Sequence, residues 1–485
     1  MQIPCLQRVP SVSTAVGSPS KDVSTHPQST TQQPHTHLSF AVFAIILYGA
    51  TTFANASLTV LLPFVRRDEQ MGWGEGDDPF GDGAKAVLAW SIAGRMLGKL
   101  TLGPLIDAIG PSHAIALCSG GSGLLLAAMG LAGSTHSLGA MEFARQIISS
   151  GMFPATLRLL GGLFLVKQPD AVRTRYYGLM GLASRGGSLA GTLVIGLLAR
   201  GTLGAYVAGW RTICVLVAAL PLLLGVGWST IYMRAAHRLE KQAERQESAD
   251  AALPASPRSG SRFVRLNPLA TTLRVAQKAF AHPIFCRAAI LNACCKMAMH
   301  CGVLLPLALT EAMGVSAHRA SLYALAFPLG QTLATALLPY MDLGARGSVH
   351  LCRCCALMLA LSALAVRVPS LSDLFTAVQC VLAAAVVLPY YVEITSSFVI
   401  RFGRKVTPRK VATMCTLLDS VGFAGNLVLA LLWARLVRVG GWHSAYGLMA
   451  VCWCGGCFLA PSVFAWEREG GAADGGEEEG GGDNV

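Results

Sequence analysis

The stretch Gly94–His113, GRMLGKLTLGPLIDAIGPSH, decides the fold class of this chain. Four residues recur in it at every fourth position on an apolar background: Arg95, Lys99, Gly103 and Asp107. On a helix this spacing places all four along one side. Gly110-Pro111 then ends the helix, because proline cannot continue it and glycine tolerates the turn. Charges on an apolar helix are costly in lipid, so this side is predicted to face protein or a water-filled cavity.

The composition indicates a membrane protein. Of the 485 residues, 53% are hydrophobic and only 13% are charged, whereas soluble domains carry about 25% charged residues. A transmembrane helix needs about 20 mostly apolar residues. Several windows of about this length or more contain no Asp, Glu, Lys or Arg, among them 39–65, 114–140, 212–233, 320–341 and 374–392. We therefore predict an all-α integral membrane protein with twelve transmembrane helices, arranged as two six-helix bundles.

The pattern of polar and apolar segments predicts five regions. A tail poor in apolar residues comes first and is predicted to be disordered. Two apolar halves follow, separated by a polar linker, and a Gly- and Glu-rich tail ends the chain. The predicted boundaries are 1–37 for the first tail, 38–233 for the first bundle, 234–282 for the linker, 283–465 for the second bundle and 466–485 for the acidic tail.

The net charge of +12 is explained by membrane topology better than by a nucleic-acid partner. Lys and Arg are concentrated in the linker and in the connections on the same side of the membrane. By the positive-inside rule this asymmetry favours cytosolic termini for a multi-pass protein. No short cleavable signal peptide is apparent. Which membrane holds the protein is left open, as is a targeting role for the first tail.

Enzyme chemistry and cofactors are not expected. The 15 cysteines lie mainly inside apolar segments, where thiols behave as small hydrophobic groups, so no metal site is predicted. No Gly-x4-Gly-Lys-Ser/Thr loop is present, which argues against ATP-driven transport. No Ser–His–Asp arrangement stands out at membrane depth.

Two segments resemble each other across the linker. In RTRYYGLMGLASRGGSLAG (173–191) and PRKVATMCTLLDSVGFAGN (408–426), Arg175 matches Lys410 and Gly187 matches Gly422. The two halves are therefore predicted to be parallel repeats of six helices. Transporters built from such repeats bind substrate near the middle of the bilayer, between the halves.

The loop from Gly103 to Gly110 resembles the signature between helices 2 and 3 of the major facilitator superfamily. Residues 338–344, LPYMDLG, look like its degenerate counterpart in the second half, with Asp342 in the place of Asp107. The resemblance implies secondary transport by alternating access. It implies a gating role for Gly103, Asp107, Gly110 and Asp342, since the aspartate of this signature helps lock the closed state.

Within the superfamily the best resemblance is to the organophosphate–phosphate antiporters. It rests on the position of Lys99 relative to Asp107, on Phe153-Pro154 with Arg158, on Gly186-Gly187 and on residues 408–410. The substrate arginines of that family fall at Asn55 and His300, so its phosphate-gripping pair is missing here. The anion/cation symporter branch, which includes phosphate and organic-anion carriers, shares several of the same features.

Five residues are candidates for binding an anionic substrate: Arg95, Lys99, Arg145, Lys296 and His300. Arg95 and Lys99 lie deep in the predicted second helix, where a charge is costly and is therefore either paired or functional. They attract an anionic substrate or form part of a gate; the alternative is an internal salt bridge that holds the halves together. Arg145 is a candidate because the fourth helix of superfamily members lines the cavity.

Carboxylates and histidine supply the candidates for coupling. His300 changes charge near neutral pH, so it is a candidate for proton coupling together with Glu393; the alternative for His300 is a hydrogen bond within a helix interface. Glu393 and Asp419 are predicted to be the deeply placed carboxylates. The eleventh helix of the superfamily faces the second, so Asp419 is predicted to pair with Arg95 or Lys99 and to act in gating. Arg185 is either a gating residue or a strut between helices.

The sequence thus predicts a secondary transporter of a small anionic solute, with a counter-anion or a proton as the coupled partner. Organophosphate, phosphate and organic anions remain open as substrates. The alternatives are a transporter-like receptor or scaffold without flux, and a carrier of amino acids or other solutes.

Overall fold

The computed structural model of the chain describes residues 34–65, 82–161, 170–199, 209–250, 268–299, 325–337, 394–407 and 410–475, together with the single positions 68, 71, 314 and 323. Within these ranges the structure is helical and contains no β-strand. Six of the described helical segments are long and apolar enough to cross a membrane: Ser39–Leu62, Pro111–Met129, Tyr176–Ala199, Trp210–Lys241, Val411–Trp433 and Ser444–Trp466.

The helices of the first half are α1 (Pro34–Asn55), α2 (Ser57–Val65), α3 (Asp82–Ile109), α4 (Pro111–Met129), α5 (Thr135–Ser149), α6 (Met152–Leu159), α7 (Asp170–Ala199) and α8 (Trp210–Gly227). A π-helical turn, Trp228–Tyr232, joins α8 to α9 (Met233–Asp250). The described helices after it are α10 (Pro268–Phe280), α11 (Pro283–Met299), α12 (Ala326–Leu337), α13 (Val399–Val406), α14 (Val411–Gly440) and α15 (Trp442–Gly475).

Several boundaries differ from those expected. The first helix begins at Pro34, inside the predicted tail, and α15 continues to Gly475, inside the predicted acidic tail. The linker carries helix at both ends, in α9 and α10. The predicted fourth membrane helix is divided into α5 and α6 around Gly151. Pro154 explains this break, because its ring clashes with the carbonyl four residues earlier.

Helices pack in equivalent pairs in the two halves. In the first half α7 lies against α1, and a Cβ on Gly191 would lie 3.1 Å from the carbonyl carbon of Phe53. In the second half α14 lies against α11, and a Cβ on Gly422 would meet Lys296 Cγ at 2.8 Å. Small residues on α7 and α14 permit this close approach between membrane helices.

Among the described residues, the most extensive contacts between the halves are those of α3 with α14 and of α7 with α12. They are equivalent under the repeat. When Gly187 is matched to Gly422, Gly181 corresponds to Thr416; a Cβ on Gly181 would lie 2.9 Å from Thr335 on α12, and Thr416 lies against Gly103 on α3. The charged side of α3 therefore faces the opposite half. This is the contact between the second and eleventh helices that the resemblance to the superfamily implies.

Candidate functional site

The candidate site is the interface between α3 and α14. Gly103 is a point of close contact there, since a Cβ at this position would overlap Thr416 Oγ1 and lie 2.9 Å from Thr413 Cα. A residue without a side chain is what allows the two helices to approach this closely. The other three positions of the same side of α3 also reach α14: Arg95, Lys99 and Asp107.

A buried carboxylate on α14 bridges two lysines from different halves. Lys99 Nζ lies 2.8 Å from Asp419 Oδ2, and Lys296 Nζ, on α11, lies 3.3 Å from Asp419 Oδ1. All three side chains are buried: Lys99 is 5% exposed, Asp419 is 3% exposed and Lys296 is 9% exposed. The pairing of Asp419 with Lys99 is one of the two that the sequence predicts, whereas the participation of Lys296 is not predicted.

Aromatic rings surround these cations. Lys296 Nζ lies 4.1 Å from the centroid of the Phe423 ring, and Arg95 Cζ lies 5.4 Å from the same centroid. Lys99 Nζ lies 5.4 Å from the centroid of Phe153. Ring faces attract cations through their quadrupole, and the attraction is stronger where water is excluded. The rings thus help to hold several positive charges in one buried region.

Arg95 is held by a hydrogen bond within the first half. Its Nε donates to Gln146 Oε1 at 2.9 Å, and Gln146 Nε2 in turn donates to Glu142 Oε1 at 2.6 Å. Gln146 therefore orients the guanidinium toward Phe423 on α14. Arg95, Lys99 and Lys296 thus lie close to one another at the α3–α14 interface.

Asp107 joins the first half to the start of α14. Its Oδ2 accepts a hydrogen bond from the Thr413 amide at 3.1 Å and another from Thr413 Oγ1 at 2.5 Å. A carboxylate at this place interacts favourably with the positive end of the helix dipole. Arg158 Nη1, on α6, lies 3.1 Å from Asp107 Oδ1. The bonds from Thr413 join the two halves, whereas the contact with Arg158 lies within the first half.

Gly110 makes the sharp turn that follows. Its φ of 88° lies in the left-handed region, which glycine adopts without strain, and it precedes Pro111 at the first position of α4. Glu240 Oε1, from α9, accepts a hydrogen bond from the Ser112 amide at 2.8 Å. Glu240 was not predicted from the sequence, because nothing in its local pattern reveals which helix start it caps.

Arg185 contacts the other half at the second interface. Its Nη1 donates to Gln331 Oε1 on α12 at 3.2 Å. This position is compatible with both predicted roles, a gating residue and a strut.

Arg145 lies inside the first half and does not present an open guanidinium to the interface with α14. The side chain is fully buried; Nε and Nη2 donate to Glu142 at 2.7 and 2.9 Å, and Nη1 donates to Asn55 Oδ1 at 2.5 Å. Glu142 is fully buried as well and accepts a further bond from Ser91 at 3.0 Å. The expectation that Glu393 and Asp419 are the deeply placed carboxylates is therefore wrong, because Glu142 is a third.

Glu142→Gln is expected to destabilise the protein by about 3 kcal/mol, because it leaves the buried Arg145 guanidinium without its counter-ion. The double variant Glu142→Gln/Arg145→Gln should recover part of this loss, since it removes the unmatched charge as well. Thermal unfolding in detergent measures both variants. Equal stability of wild type and Glu142→Gln would show that the pair does not support the first half.

Solved structures share the helical architecture described above. The human organic anion transporter MFSD10 (TETRAN) is 18% identical, with a TM-score of 0.54, over 88% of this chain and 100% of that chain. The proton:xylose symporter XylE of the major facilitator superfamily, bound to 6-bromo-6-deoxy-D-glucose, is 15% identical, with a TM-score of 0.64, over 89% of this chain and 95% of that chain. The chain has the major facilitator fold. No family model matches the sequence, and no curated protein matches it.

The major facilitator fold confirms the prediction of an all-helical, multi-pass membrane protein. Both solved structures are of transporters. Identities below 20% carry no information about the solute. The substrate must therefore be argued from the side chains of this chain.

Three predicted site residues lie outside the described residues: His300, Asp342 and Glu393. Their roles as substrate ligand, gate and proton-coupling candidates stay predictions. The same holds for the disordered first tail up to residue 33.

The charged positions of α5 carry a local sequence signal for an ion pair. Glu142 and Arg145 stand three residues apart, a spacing that brings side chains together on a helix. That spacing predicts an internal ion pair, which is what the structure contains. Gln146, Gln331 and Phe423 gave no such signal, because uncharged residues on apolar helices do not stand out.

Proposed function

We propose that this protein is a secondary active transporter that moves a small anionic solute by alternating access between its two halves. The observation that carries the proposal is the buried cluster of Lys99, Asp419 and Lys296, which joins α3 of the first half to α11 and α14 of the second. Ionisable groups at this depth in a membrane protein are costly and are functional by default.

The balance of charge in the cluster supports an anion. Two lysines share one carboxylate, and Arg95 lies on the same ring as Lys296. In a region shielded from water, three neighbouring cationic groups attract a negative solute more strongly than they would in solution. A cationic solute would have to approach these three groups against their repulsion.

Asp419 contacts the lysines that we propose bind the solute, so it competes with the solute for them. Its two oxygens occupy the two lysine ammonium groups, which are the groups that a carboxylate or phosphate would otherwise contact. We infer that an arriving anion replaces Asp419 at one or both lysines. This exchange weakens the link between α3 and α14 and so couples binding to the movement of the halves.

Opening on the side of Asp107 requires the whole α3–α14 interface to separate. The contacts that must break are Lys99 with Asp419 and Asp107 with Thr413. Arg185 and Gln331 form the corresponding contact at the second interface. In this proposal Arg95, Lys99 and Lys296 bind the anion, whereas Gly103, Asp107, Gly110, Arg185 and Asp419 control access.

The proposed class of anion is wider than the resemblance to the organophosphate–phosphate antiporters suggests. Organophosphate, phosphate and organic carboxylates all fit a lysine pair, and exchange for a second anion or coupling to a proton are both compatible with the cluster. The two solved structures differ in their solutes, since one is an organic anion transporter and the other is a proton:xylose symporter.

An uptake assay in proteoliposomes tests the proposal. Proteoliposomes that contain the purified full chain are loaded with one solute and exposed to the same solute outside. The solutes are phosphate, a sugar phosphate, a carboxylate and an amino acid, each at two pH values. We expect saturable counterflow of at least one anion. For that anion, Lys296→Gln should raise the KM roughly tenfold, since a hydrogen bond to a charged group contributes about 1.5 kcal/mol or more.

Arg274→Gln is the matched control, because it removes one exposed positive charge on α10. It should leave the KM unchanged. Preference for a cation would overturn the anion assignment, and saturable binding without counterflow would indicate a receptor instead of a transporter.

A further inference from the structure

One side of the continuous helix formed by α8, the π-helical turn and α9 faces outward along its length. On α8 and the turn this side is apolar and exposed, at Leu216, Leu220, Leu223 and Ile231. These positions are separated by four, three and eight residues, which keeps them on one side of the helix as a single stripe. Exposed leucine and isoleucine on a helix apolar enough to span the membrane face lipid tails.

The same stripe becomes basic at the beginning of α9. Arg234, Arg238 and Lys241 follow Ile231 at intervals of three, four and three residues, and all three are exposed. The segment identified as able to span the membrane, Trp210–Lys241, ends at the last of them. The change from apolar to basic therefore occurs within about one helical turn, at the end of the span.

The positive charge is confined to the membrane end of α9. Beyond Lys241 the helix contains Glu244, Glu247 and Asp250 but only one further arginine, Arg245. A basic surface for a soluble partner would have no reason to end where the membrane ends. Long basic side chains that follow a lipid-facing stripe are placed at the level of the phosphate groups.

We propose that Arg234, Arg238 and Lys241 form a binding surface for anionic phospholipid headgroups in the leaflet on the side of Asp107. Basic residues that directly follow a transmembrane helix bind anionic lipid through charge attraction. This inference does not depend on the solute that the protein moves.

The opposite side of the same two turns holds the turn that follows Asp107. Glu240 is buried and accepts a hydrogen bond from the Ser112 amide, and His237 Nδ1 lies 3.3 Å from Glu240 Oε2. The His237 ring packs edge-on against His113, with 4.7 Å between centroids. Lipid bound on the outer side of α9 thus keeps Glu240 at the first turn of α4, three residues after the helix that carries the gate.

The affinity for lipid is the test of the surface. The full chain in a neutral detergent is titrated with fluorescent phosphatidylglycerol and, separately, with phosphatidylcholine. We expect clear preference for phosphatidylglycerol. Arg234→Gln/Arg238→Gln should weaken its binding roughly 30-fold, since each basic residue near a membrane surface contributes about 1 kcal/mol.

The control is Arg274→Gln/Lys278→Gln on α10, which removes the same charge from two exposed positions four residues apart. It should retain the wild-type affinity. Arg234→Lys/Arg238→Lys should also retain it, which separates loss of charge from misfolding. Equal affinity of wild type for the two lipids, or an equal loss in both double glutamine variants, would overturn the proposal.

The link to the gate has its own measurement. In wild type, phosphatidylglycerol should slow amide hydrogen exchange in residues 107–113 several-fold relative to phosphatidylcholine. Glu240→Ala should bind the lipid as wild type does but lose this protection, because the contact between α9 and the Ser112 amide is gone. Lipid-dependent protection that survives in Glu240→Ala would show that the surface is not linked to the gate through Glu240.

Discussion

Asp419→Asn is expected to reduce exchange of the transported anion by at least tenfold at saturating concentration. The substitution keeps the size of the side chain but leaves Lys99 and Lys296 without the carboxylate that both contact. Removing one partner of a buried ion pair costs about 3–5 kcal/mol. This cost falls on the conformation in which α3 and α14 are in contact, so the balance should shift toward the conformation in which they are apart.

A second substitution separates charge from packing at this place. Lys99→Gln combined with Asp419→Asn removes one of the unmatched cations and should restore part of the stability in detergent, although not the coupled exchange. Ser420→Ala is the control, since the Ser420 hydroxyl donates only along its own helix, to the Thr416 carbonyl at 2.6 Å. Normal kinetics in Asp419→Asn would contradict both the exchange mechanism and the proposed role of the cluster.

Gly103→Val is expected to abolish transport. A Cβ at Gly103 would overlap Thr416 Oγ1 and lie 2.9 Å from Thr413 Cα, and the second contact involves backbone that cannot move aside by rotation. The added methyl groups therefore hold α3 and α14 apart. The Asp107 carboxylate should then lose its hydrogen bond to the Thr413 amide.

Amide hydrogen exchange measures this effect without reference to the solute. In Gly103→Val the first turn of α14, residues 411–414, should exchange at least tenfold faster than in wild type. Gly120→Ala on α4 is the matched control, because a Cβ there meets nothing within 4 Å. It should leave both exchange and transport unchanged. Wild-type protection of residues 411–414 in Gly103→Val would show that the interface tolerates the side chain.

Much of the fold and part of the site follow from local sequence. The apolar windows, the spacing of Arg95, Lys99, Gly103 and Asp107, and the Gly110-Pro111 turn are enough to predict a membrane helix whose charged side faces protein or a cavity. The resemblance to the superfamily adds that this side meets the other half. The match of Gly187 with Gly422 predicts which helices are equivalent. These features are local or repetitive, so a helical period and a turn are sufficient to recognise them.

The partners of the charged groups were decided by tertiary structure. The sequence placed Arg95 and Lys99 equally well for a contact with Asp419, and the depth and rotation of α3 against α14 selected Lys99. Arg145 was a candidate for the anion like Lys99, yet it faces Glu142 and Asn55 inside its own half. The period of a helix determines which residues share a side, but which helix lies opposite that side depends on the packing of segments far apart in the chain.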